Sequence, residues 1–301
     1  MTPPLASAVS FDTPRRPDAF RLSGPTAALD PRTHAYRSDL ADITLAGTRF
    51  APHYTKAEPA RCTAPAAMML ASPSEEAPAV SQLVHGEPFA LLDRSGGWAW
   101  GRSVHDGYVG YIRDEALGGP EPAAWRVVAP LAPAFSSASI KAPVRLLYPV
   151  GALLSGPETG DFVRAGGCFV HRRHVAPAAE PAGDWVAAAE RLVGLPYLWG
   201  GRGAGGIDCS GLVQVALGLA GIPAPRDSDQ QRESLGEPLA DSEILRRGDL
   251  VFLPGHVGIM VDGDRVLHAN AFWMAVTIEP LADLLARTGP QQAVTRRRLV
   301  P

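Results

Sequence analysis

The chain has 301 residues, of which 46% are hydrophobic and 20% are charged, and its formal net charge is −3. This composition is typical of a globular protein with two or three domains and excludes a largely disordered chain. The small negative charge favours neither nucleic acid nor an anionic membrane surface as a partner. The three cysteines, Cys62, Cys168 and Cys209, are too few and odd in number for a disulfide framework.

The first residues carry no pattern of a secretion signal. No Lys or Arg precedes their few apolar residues, and the apolar run is too short for a signal peptide. No segment approaches the length of about 18 apolar residues that a transmembrane helix needs. A reactive thiol also fits a reducing compartment better than an oxidising one. We therefore expect a cytoplasmic protein that has no membrane partner.

The first 60 residues are predicted to form a proline-rich, irregular arm with one short helix within residues 33–60. From residue 61 the pattern changes to short alternating strands that are separated by turns. Asp106-Gly107 between two such strands is a strong signal for a hairpin. The stretch Gly107-Tyr108-Val109-Gly110-Tyr111 resembles a bacterial SH3-like barrel, which we expect at residues 61–119.

Residues 120–178 repeat this strand pattern more weakly. The stretch Gly166-Gly167-Cys168-Phe169-Val170-His171 resembles the closing hairpin of such a barrel. We therefore predict a second SH3-like barrel here, with a linker of Pro, Ala and Gly at residues 177–183.

The remaining residues, 179–301, are predicted to form a domain in which helices pack on an antiparallel sheet. Asp184 suits the N-cap of one helix, and a central helix begins near Asp208. Ser228 and Gln231 have the spacing of a capping box and predict a further helix start. After Gly248 the apolar pattern becomes strand-like. Its strands are predicted at residues 250–253, 257–261, 265–269 and 274–278.

Cys209 stands where a Gly-rich loop, residues 200–206, becomes the central helix. Unpaired N–H groups and the positive end of the helix dipole stabilise a thiolate, so we predict a lowered pKa and a nucleophilic cysteine. His256 opens one predicted strand and His268 ends its neighbour, so packing of the sheet on the helix brings both rings to Cys209. A buried structural cysteine is the alternative for Cys209 alone.

Zinc is a second alternative for one cysteine and two histidines. Metal sites usually contain a close ligand pair such as CxxC or HxxxH, and none occurs among Cys209, His256 and His268. We therefore expect neither a metal ion nor another cofactor.

These motifs resemble the NlpC family of papain-like cysteine peptidases, which cut bacterial cell-wall peptides. The matching elements are Tyr197–Gly201, Asp208–Val213, Pro225–Ser228, Arg247–Phe252, Gly255–Met260 and His268-Ala269. The resemblance implies that Cys209 attacks the substrate, that His256 is the base and that His268 orients it. The fold class it implies is α+β, a papain-like domain preceded by two small SH3-like β-barrels.

The resemblance also implies substrate-binding residues around the nucleophile. Asp208 and Ser210 are expected to contact the peptide, although a helix cap and a first-turn residue are their alternatives. Asp227 is expected to hold the free amino group of an N-terminal L-Ala, because a carboxylate suits an ammonium ion; a plain helix cap is the alternative. Tyr108 and Glu87 from the first barrel are expected to close that end of the substrate cleft. Tyr197 either contacts the substrate or packs in the core.

The function implied is that of a γ-D-glutamyl-L-diamino-acid endopeptidase acting on small peptidoglycan peptides with a free N-terminal L-Ala. Two alternatives stay open. One is a papain-like amidase or acyltransferase, and the other is a non-catalytic module that binds wall peptides. The sequence leaves the identity of the diamino acid and the oligomeric state open.

Overall fold

A computed structural model describes residue 24 and residues 26–203, 205–289 and 293–299 of this chain. Residues 1–23 and 25 of the arm predicted for residues 1–60, and residue 204 of the Gly-rich loop, lie outside the described residues. The described residues form five sheets and four α-helices. No described helix is both long and apolar enough to cross a membrane.

The segment before the first barrel, residues 26–57, contains two short strands instead of the predicted helix. Strand β1 (Leu40–Asp42) pairs in parallel with β2 (His53–Thr55). Between them, Asp42 accepts a hydrogen bond from the backbone N–H of Thr44 and caps a single 3₁₀ turn, Ile43–Leu45. The helix prediction was wrong because a local side-chain bond of this kind competes with helical backbone bonds.

The first barrel is a seven-stranded antiparallel sheet in the neighbour order β5-β4-β8-β7-β6-β3-β9. Its strands are β3 (Glu58–Cys62), β4 (Ala66–Leu70), β5 (Ala79–Val84), β6 (Pro88–Ser95), β7 (Trp98–Ser103), β8 (Val109–Arg113) and β9 (Leu117–Gly118). Met69, Leu83, Phe89 and Ile112 are fully buried and fill its core. The predicted Asp106-Gly107 hairpin joins β7 to β8, which pair antiparallel.

Residues 125–177 form two further small sheets around one core. Their strands are β10 (Trp125–Val127), β11 (Leu131–Phe135), β12 (Val144–Pro149), β13 (Leu153–Leu154), β14 (Glu158–Thr159), β15 (Phe162–Ala165), β16 (Cys168–His171) and β17 (Val175–Pro177). Three strands have the order β13-β10-β17, and five have the order β12-β11-β16-β15-β14. Val127 of the smaller sheet packs in the same core as Val163 and Val170 of the larger sheet.

The last domain packs helices on a six-stranded antiparallel sheet with the order β18-β23-β19-β20-β21-β22. The strands are β18 (Glu237–Pro238), β19 (Asp249–Leu253), β20 (His256–Met260), β21 (Arg265–Asn270), β22 (Ala275–Pro280) and β23 (Thr295–Arg298). The helices are α1 (Trp185–Glu190), α2 (Cys209–Leu219), α3 (Ser228–Ser234) and α4 (Leu281–Thr288). Strands β19 to β22 are the four predicted from the sequence. Leu212 and Ala216 of α2 share one buried core with Ile259 of the sheet.

Three of the four described helices in this domain, α1, α2 and α3, have an aspartate as their N-cap residue. Asp184 and Asp208 each accept a backbone N–H from inside the helix that follows. Asp227 is the N-cap of α3, but its carboxylate makes no capping hydrogen bond. The capping box predicted for Ser228 is therefore wrong, since Ser228 is already the first helical residue. The carboxylate of Asp227 is free for contacts outside the helix.

Buried polar contacts hold the first barrel against the last domain. Gln214 of α2 donates a hydrogen bond to Asp106 at 2.9 Å, and Nε of the buried Arg226 donates to the hydroxyl of Ser81 in the barrel at 3.2 Å. Such contacts fix the barrel's position because a buried polar group without its partner is costly. The barrel can therefore supply side chains to a site on the last domain.

Candidate active site

Cys209 is the first residue of α2, and only 7% of it is exposed. Burial, followed by the charge of Asp208, raises the pKa of the Cys209 thiol to about 11, although backbone hydrogen bonds from Val257 and Ser210 lower it. The predicted lowering of this pKa was wrong, because desolvation of the charged form outweighs the helix start. The contact with Val257 places the sulfur beside the beginning of β20, where His256 lies.

Asp208 joins the Gly-rich loop to the first turn of α2 through hydrogen bonds. Its carboxylate accepts hydrogen bonds from the backbone N–H groups of Gly211 at 2.7 Å and of Gly200 at 2.9 Å. Gly200 has a φ of 77°, the left-handed conformation that favours glycine. The buried guanidinium of Arg226 completes the arrangement, with Nη2 2.6 Å and Nη1 2.9 Å from the two carboxylate oxygens. Asp208 thus acts as a cap and as an anchor for Arg226.

A chain of hydrogen bonds runs from His256 into the sheet. His256 Nε2 lies 2.8 Å from His268 Nδ1, and His268 Nε2 lies 2.8 Å from Oε1 of Glu279. Burial raises the pKa of Glu279, but hydrogen bonds from Arg287, Trp273 and His268 outweigh it and lower that pKa. Glu279 is therefore an ionised acceptor, and the facing Nε2 of His268 carries a proton.

The direction of these hydrogen bonds determines which nitrogen of His256 is basic. Since His268 Nδ1 has no proton, it accepts the Nε2–H of His256. The Nδ1 of His256 is then unprotonated and able to accept a proton from a thiol. Burial, and next the neighbouring His268, lower the pKa of His256 to about 4. At neutral pH the resting pair is therefore a thiol and a neutral imidazole.

Glu279 was missed by the sequence reasoning because the predicted strand was ended at residue 278. It lies on β22, where Thr277 is paired with His268 and Glu279 with Val266. Residues 277 and 279 point to the same face of the strand, so Glu279 is a diagonal neighbour of His268. The sequence signal that could have found Glu279 was an acidic residue diagonal to a candidate histidine on the neighbouring strand.

The cleft is a cavity of about 300 Å³ that lies between the last domain, the first barrel and the segment before that barrel. Its walls are lined by Cys209 and by four of the predicted binding residues, Asp208, Ser210, Asp227 and Tyr108. The structure thus brings together residues from two domains, as the sequence predicted for Tyr108. Arg32 and Arg226 also line the cleft and were missed.

Asp227 lies at one end of the cleft. Its Oδ2 accepts a hydrogen bond from the hydroxyl of Tyr108 at 2.9 Å and another from Nη1 of Arg32 at 2.8 Å. Burial, and then the charge of Asp227, raise the pKa of Tyr108, so the hydroxyl stays protonated and donates. No partner of Oδ1 is found among the residues that the structure describes.

Glu87 does not reach the cleft, which corrects the expectation that it closes the amino end. Both of its oxygens accept from Nη1 of the buried Arg202, at 2.9 and 2.8 Å. It lines a separate cavity of about 260 Å³ between the first barrel, residues 126–153 of the sheets that follow it, and α2. The reason is that a buried carboxylate needs a charged partner, and Arg202 supplies it in this separate cavity, whose lining does not include Cys209.

Tyr197 packs against the core of the last domain rather than along the cleft wall. Burial, and next the charge of Cys209, raise its pKa to about 12. This position is the packing alternative stated for Tyr197. Among the described residues, no group of three or more His, Cys, Asp or Glu is arranged to hold a metal ion.

Comparisons with known proteins agree with this geometry. Residues 194–288 match the NlpC/P60 family, and residues 69–117 match the bacterial dipeptidyl-peptidase SH3 domain. A gamma-D-glutamyl-L-lysine dipeptidyl-peptidase of Bacillus subtilis is 32% identical over 129 residues, which cover 39% of this chain and 43% of that protein. A probable endopeptidase of Corynebacterium glutamicum is 42% identical over 97 residues, covering 31% of this chain and 46% of that protein.

The fold has a counterpart among solved structures. An NlpC/P60 family protein from Bacillus cereus superposes with a TM-score of 0.68 at 20% identity, covering 81% of this chain and all of that one (100%). The chain spans less than half the length of the two curated relatives. The α+β fold and the resemblance predicted from the sequence are confirmed.

The reaction of Cys209 with iodoacetamide tests whether Cys209 and His256 rest as a thiol and a neutral imidazole. Because only the thiolate is alkylated, the rate should be low at pH 7 and rise steadily toward about pH 11. Mass spectrometry of the intact protein measures this rate, and Cys209→Ala reports the background from Cys62 and Cys168. A rate that is already at its plateau below pH 7 would contradict the neutral pair and indicate a thiolate paired with imidazolium.

Replacement of Glu279 tests its role as a positioning residue for the histidine pair. Glu279→Gln can present an N–H donor to His268, which favours the opposite tautomers and protonates the basic nitrogen of His256. We expect kcat for peptide hydrolysis to fall by about 100-fold or more, with little change in KM. Glu279→Asp should restore part of kcat. The matched control is Glu190→Gln, which removes a carboxylate paired with Arg247 outside the cleft. A kcat for Glu279→Gln near that of the control would exclude the role.

Proposed function

We propose that this chain, which carries an NlpC/P60 domain of the cysteine-peptidase type behind a bacterial SH3 domain, is a γ-D-glutamyl-L-diamino-acid endopeptidase. Its substrates would be short peptidoglycan peptides with a free N-terminal L-Ala. The observation that carries the proposal is a single cleft with the nucleophile Cys209 in one wall and the Tyr108–Asp227 pair at one end. The name of the Bacillus subtilis relative, gamma-D-glutamyl-L-lysine dipeptidyl-peptidase, supports the same bond type.

The reaction begins when the Cys209 sulfur attacks the γ-carbonyl carbon of D-Glu. The thiol proton passes to Nδ1 of His256, and the resulting imidazolium is stabilised through His268 by the negative charge of Glu279. Negative charge on the carbonyl oxygen is stabilised by the backbone N–H of Cys209 at the helix start. One such donor contributes about 3 kcal/mol to the transition state.

Collapse of this intermediate breaks the carbon–nitrogen bond. The proton on His256 is transferred to the departing amine of the diamino acid, and the acyl group stays on Cys209 as a thioester. A water molecule then gives a proton to His256 and attacks the thioester. The L-Ala-D-Glu product leaves with a new γ-carboxyl group, and His256 returns the proton to the thiol.

The amino end of the peptide is recognised by charge. The substrate's ammonium group would bind the remaining oxygen, Oδ1, of Asp227, because Oδ2 is occupied by Tyr108 and Arg32. A hydrogen bond between two charged groups is about twice as strong as one between neutral groups. An acylated amine has no positive charge and is larger, so glycan-linked stem peptides would bind poorly. Two points support our proposal of a cytoplasmic location: the proposed preference for peptides that have been released from the glycan, and the free thiol of Cys209.

Hydrolysis of synthetic L-Ala-γ-D-Glu-diaminopimelate tests this function, with the N-acetylated peptide as the matched substrate. We expect the wild type to cleave the free-amine peptide, and Cys209→Ala to leave it intact. Asp227→Asn should lower kcat/KM for the free-amine peptide by about 10- to 100-fold, the value of a charged hydrogen bond. Mass spectrometry of the products measures each rate.

Asp184→Asn is the control for the Asp227 variant, because Asp184 also caps a helix but lies outside the cleft. It should keep wild-type activity. Equal cleavage of acetylated and free peptides would reject recognition of the amine and indicate a broader wall hydrolase. If neither peptide is cleaved, the endopeptidase proposal fails in favour of an amidase or acyltransferase acting on another amide.

A further inference from the structure

Arg32 enters the cleft from the segment that precedes the first barrel. Its Nη1 lies 2.8 Å from Oδ2 of Asp227 and 3.0 Å from Oδ1 of Asp229. Its Nε and Nη2 bond to the carboxylate of Asp30, at 3.1 and 2.8 Å. Its backbone carbonyl accepts the N–H of Val109 in the barrel at 2.8 Å. One residue therefore joins the segment, the barrel and helix α3.

These contacts determine where the carboxylate of Asp227 points. An N-cap aspartate ordinarily turns back and accepts an N–H from the first turn of its helix, as Asp184 does. Asp227 makes no such bond, and its Oδ2 instead accepts from Tyr108 and Arg32. Arg32 thus holds the carboxylate away from the helix and leaves Oδ1 available in the cleft.

The charge balance still favours a cationic ligand. Three carboxylates, those of Asp30, Asp227 and Asp229, surround the single guanidinium of Arg32. Two other cations, Arg226 and Arg232, line the cleft; Arg226 is matched by Asp208, and Arg232 is paired with Glu233 at 3.9 Å. The amino end of the cleft therefore keeps an excess of negative charge while Arg32 is in place, and an ammonium group is attracted to it.

The same contacts close this end of the cleft. Gln230 of α3 donates a hydrogen bond to Asp30 at 3.2 Å, so the segment is tied to α3 at two neighbouring points. Arg32 itself forms part of the cleft wall. A peptide with one more residue before L-Ala would have to displace this salt-bridged group.

We propose that Arg32 is a specificity-determining residue that positions Asp227 for the substrate's ammonium group and excludes peptides extended at the amino end. This inference rests on the proposed function, which supplies the free-amine substrate. It assigns a role in substrate selection to a segment outside both the peptidase domain and the first barrel.

The test compares kcat and KM of wild type, Arg32→Ala and Arg32→Lys on three peptides. These are L-Ala-γ-D-Glu-diaminopimelate, its N-acetylated form and a form extended by one N-terminal Gly. For Arg32→Ala we expect KM for the free-amine peptide to rise about 10-fold, with kcat within about twofold of wild type. The ratio of extended-peptide to free-peptide kcat/KM should rise. Lysine should restore KM in part, since it keeps the charge but not the fork of donors.

Arg37→Ala is the matched control. Arg37 ties the same segment to the first barrel through Asp93 and lies over the ring of Trp100, but it does not line the cleft. Arg37→Ala should therefore leave KM and the peptide ratio unchanged. If both variants unfold at the same temperature, a change in KM confined to Arg32→Ala reports on substrate recognition rather than on folding.

Three results would overturn the inference. The first is that Arg32→Ala keeps the wild-type KM and the wild-type ratio of extended-peptide to free-peptide kcat/KM, while Cys209→Ala still abolishes activity. The proposed function would then stand, and Arg32 would have only a structural role. A lower KM in Arg32→Ala would show that Arg32 competes with the substrate's amine. Equal cleavage of free and acetylated peptides by the wild type would reject the proposed function together with the role of Arg32.

Discussion

The buried ion pair between Asp208 and Arg226 fixes the spacing on which the rest of the site depends. Asp208 immediately precedes the nucleophile Cys209, and Arg226 immediately precedes Asp227. Taking two charges out of water is costly, so such a pair persists only when its remaining hydrogen bonds are satisfied. Here the guanidinium also donates to the hydroxyl of Ser210 at 2.9 Å, and the carboxylate accepts two backbone N–H groups. The pair therefore holds the Cys209 sulfur and the carboxylate of Asp227 in fixed relative positions, as the proposed recognition of a free amino group requires.

The histidine pair depends on a second buried arrangement at the other side of Cys209. Glu279 is held by two hydrogen bonds from Arg287, at 3.1 and 2.5 Å, and it fixes the proton position on His268. That proton position makes His256 a base toward the thiol. Because burial disfavours both a thiolate and an imidazolium, charge separation occurs only when the substrate is attacked. Catalysis in this account relies on fixed hydrogen-bond directions and not on a resting ion pair.

Features of the fold and the site that depend on residues close together in the sequence could be predicted, whereas contacts between distant residues could not. The start of α2 and the strands around His256 and His268 follow patterns visible in short stretches, whereas Tyr108 and Asp227, which are 119 residues apart, were expected at the site only from the family resemblance. The partner of Asp227 in the preceding segment, Arg32, is 195 residues away, and no local pattern joins the two. Glu87 was misplaced because its partner Arg202 is 115 residues distant. The pKa of Cys209 was predicted from the helix start alone, whereas burial by the whole domain decides it.

The most direct test of the account is a crystal structure of Cys209→Ala with L-Ala-γ-D-Glu-diaminopimelate bound. We expect the ammonium nitrogen within about 2.6–3.2 Å of Oδ1 of Asp227, with Arg32 still on Oδ2 and the γ-carbonyl carbon beside residue 209. A peptide bound in the reverse direction, with its amine in solvent or next to His256, would contradict it. A peptide whose amine is bound to Asp227 but whose γ-carbonyl lies far from residue 209 would also contradict it. The spacing set by Asp208 and Arg226 would then not match the substrate.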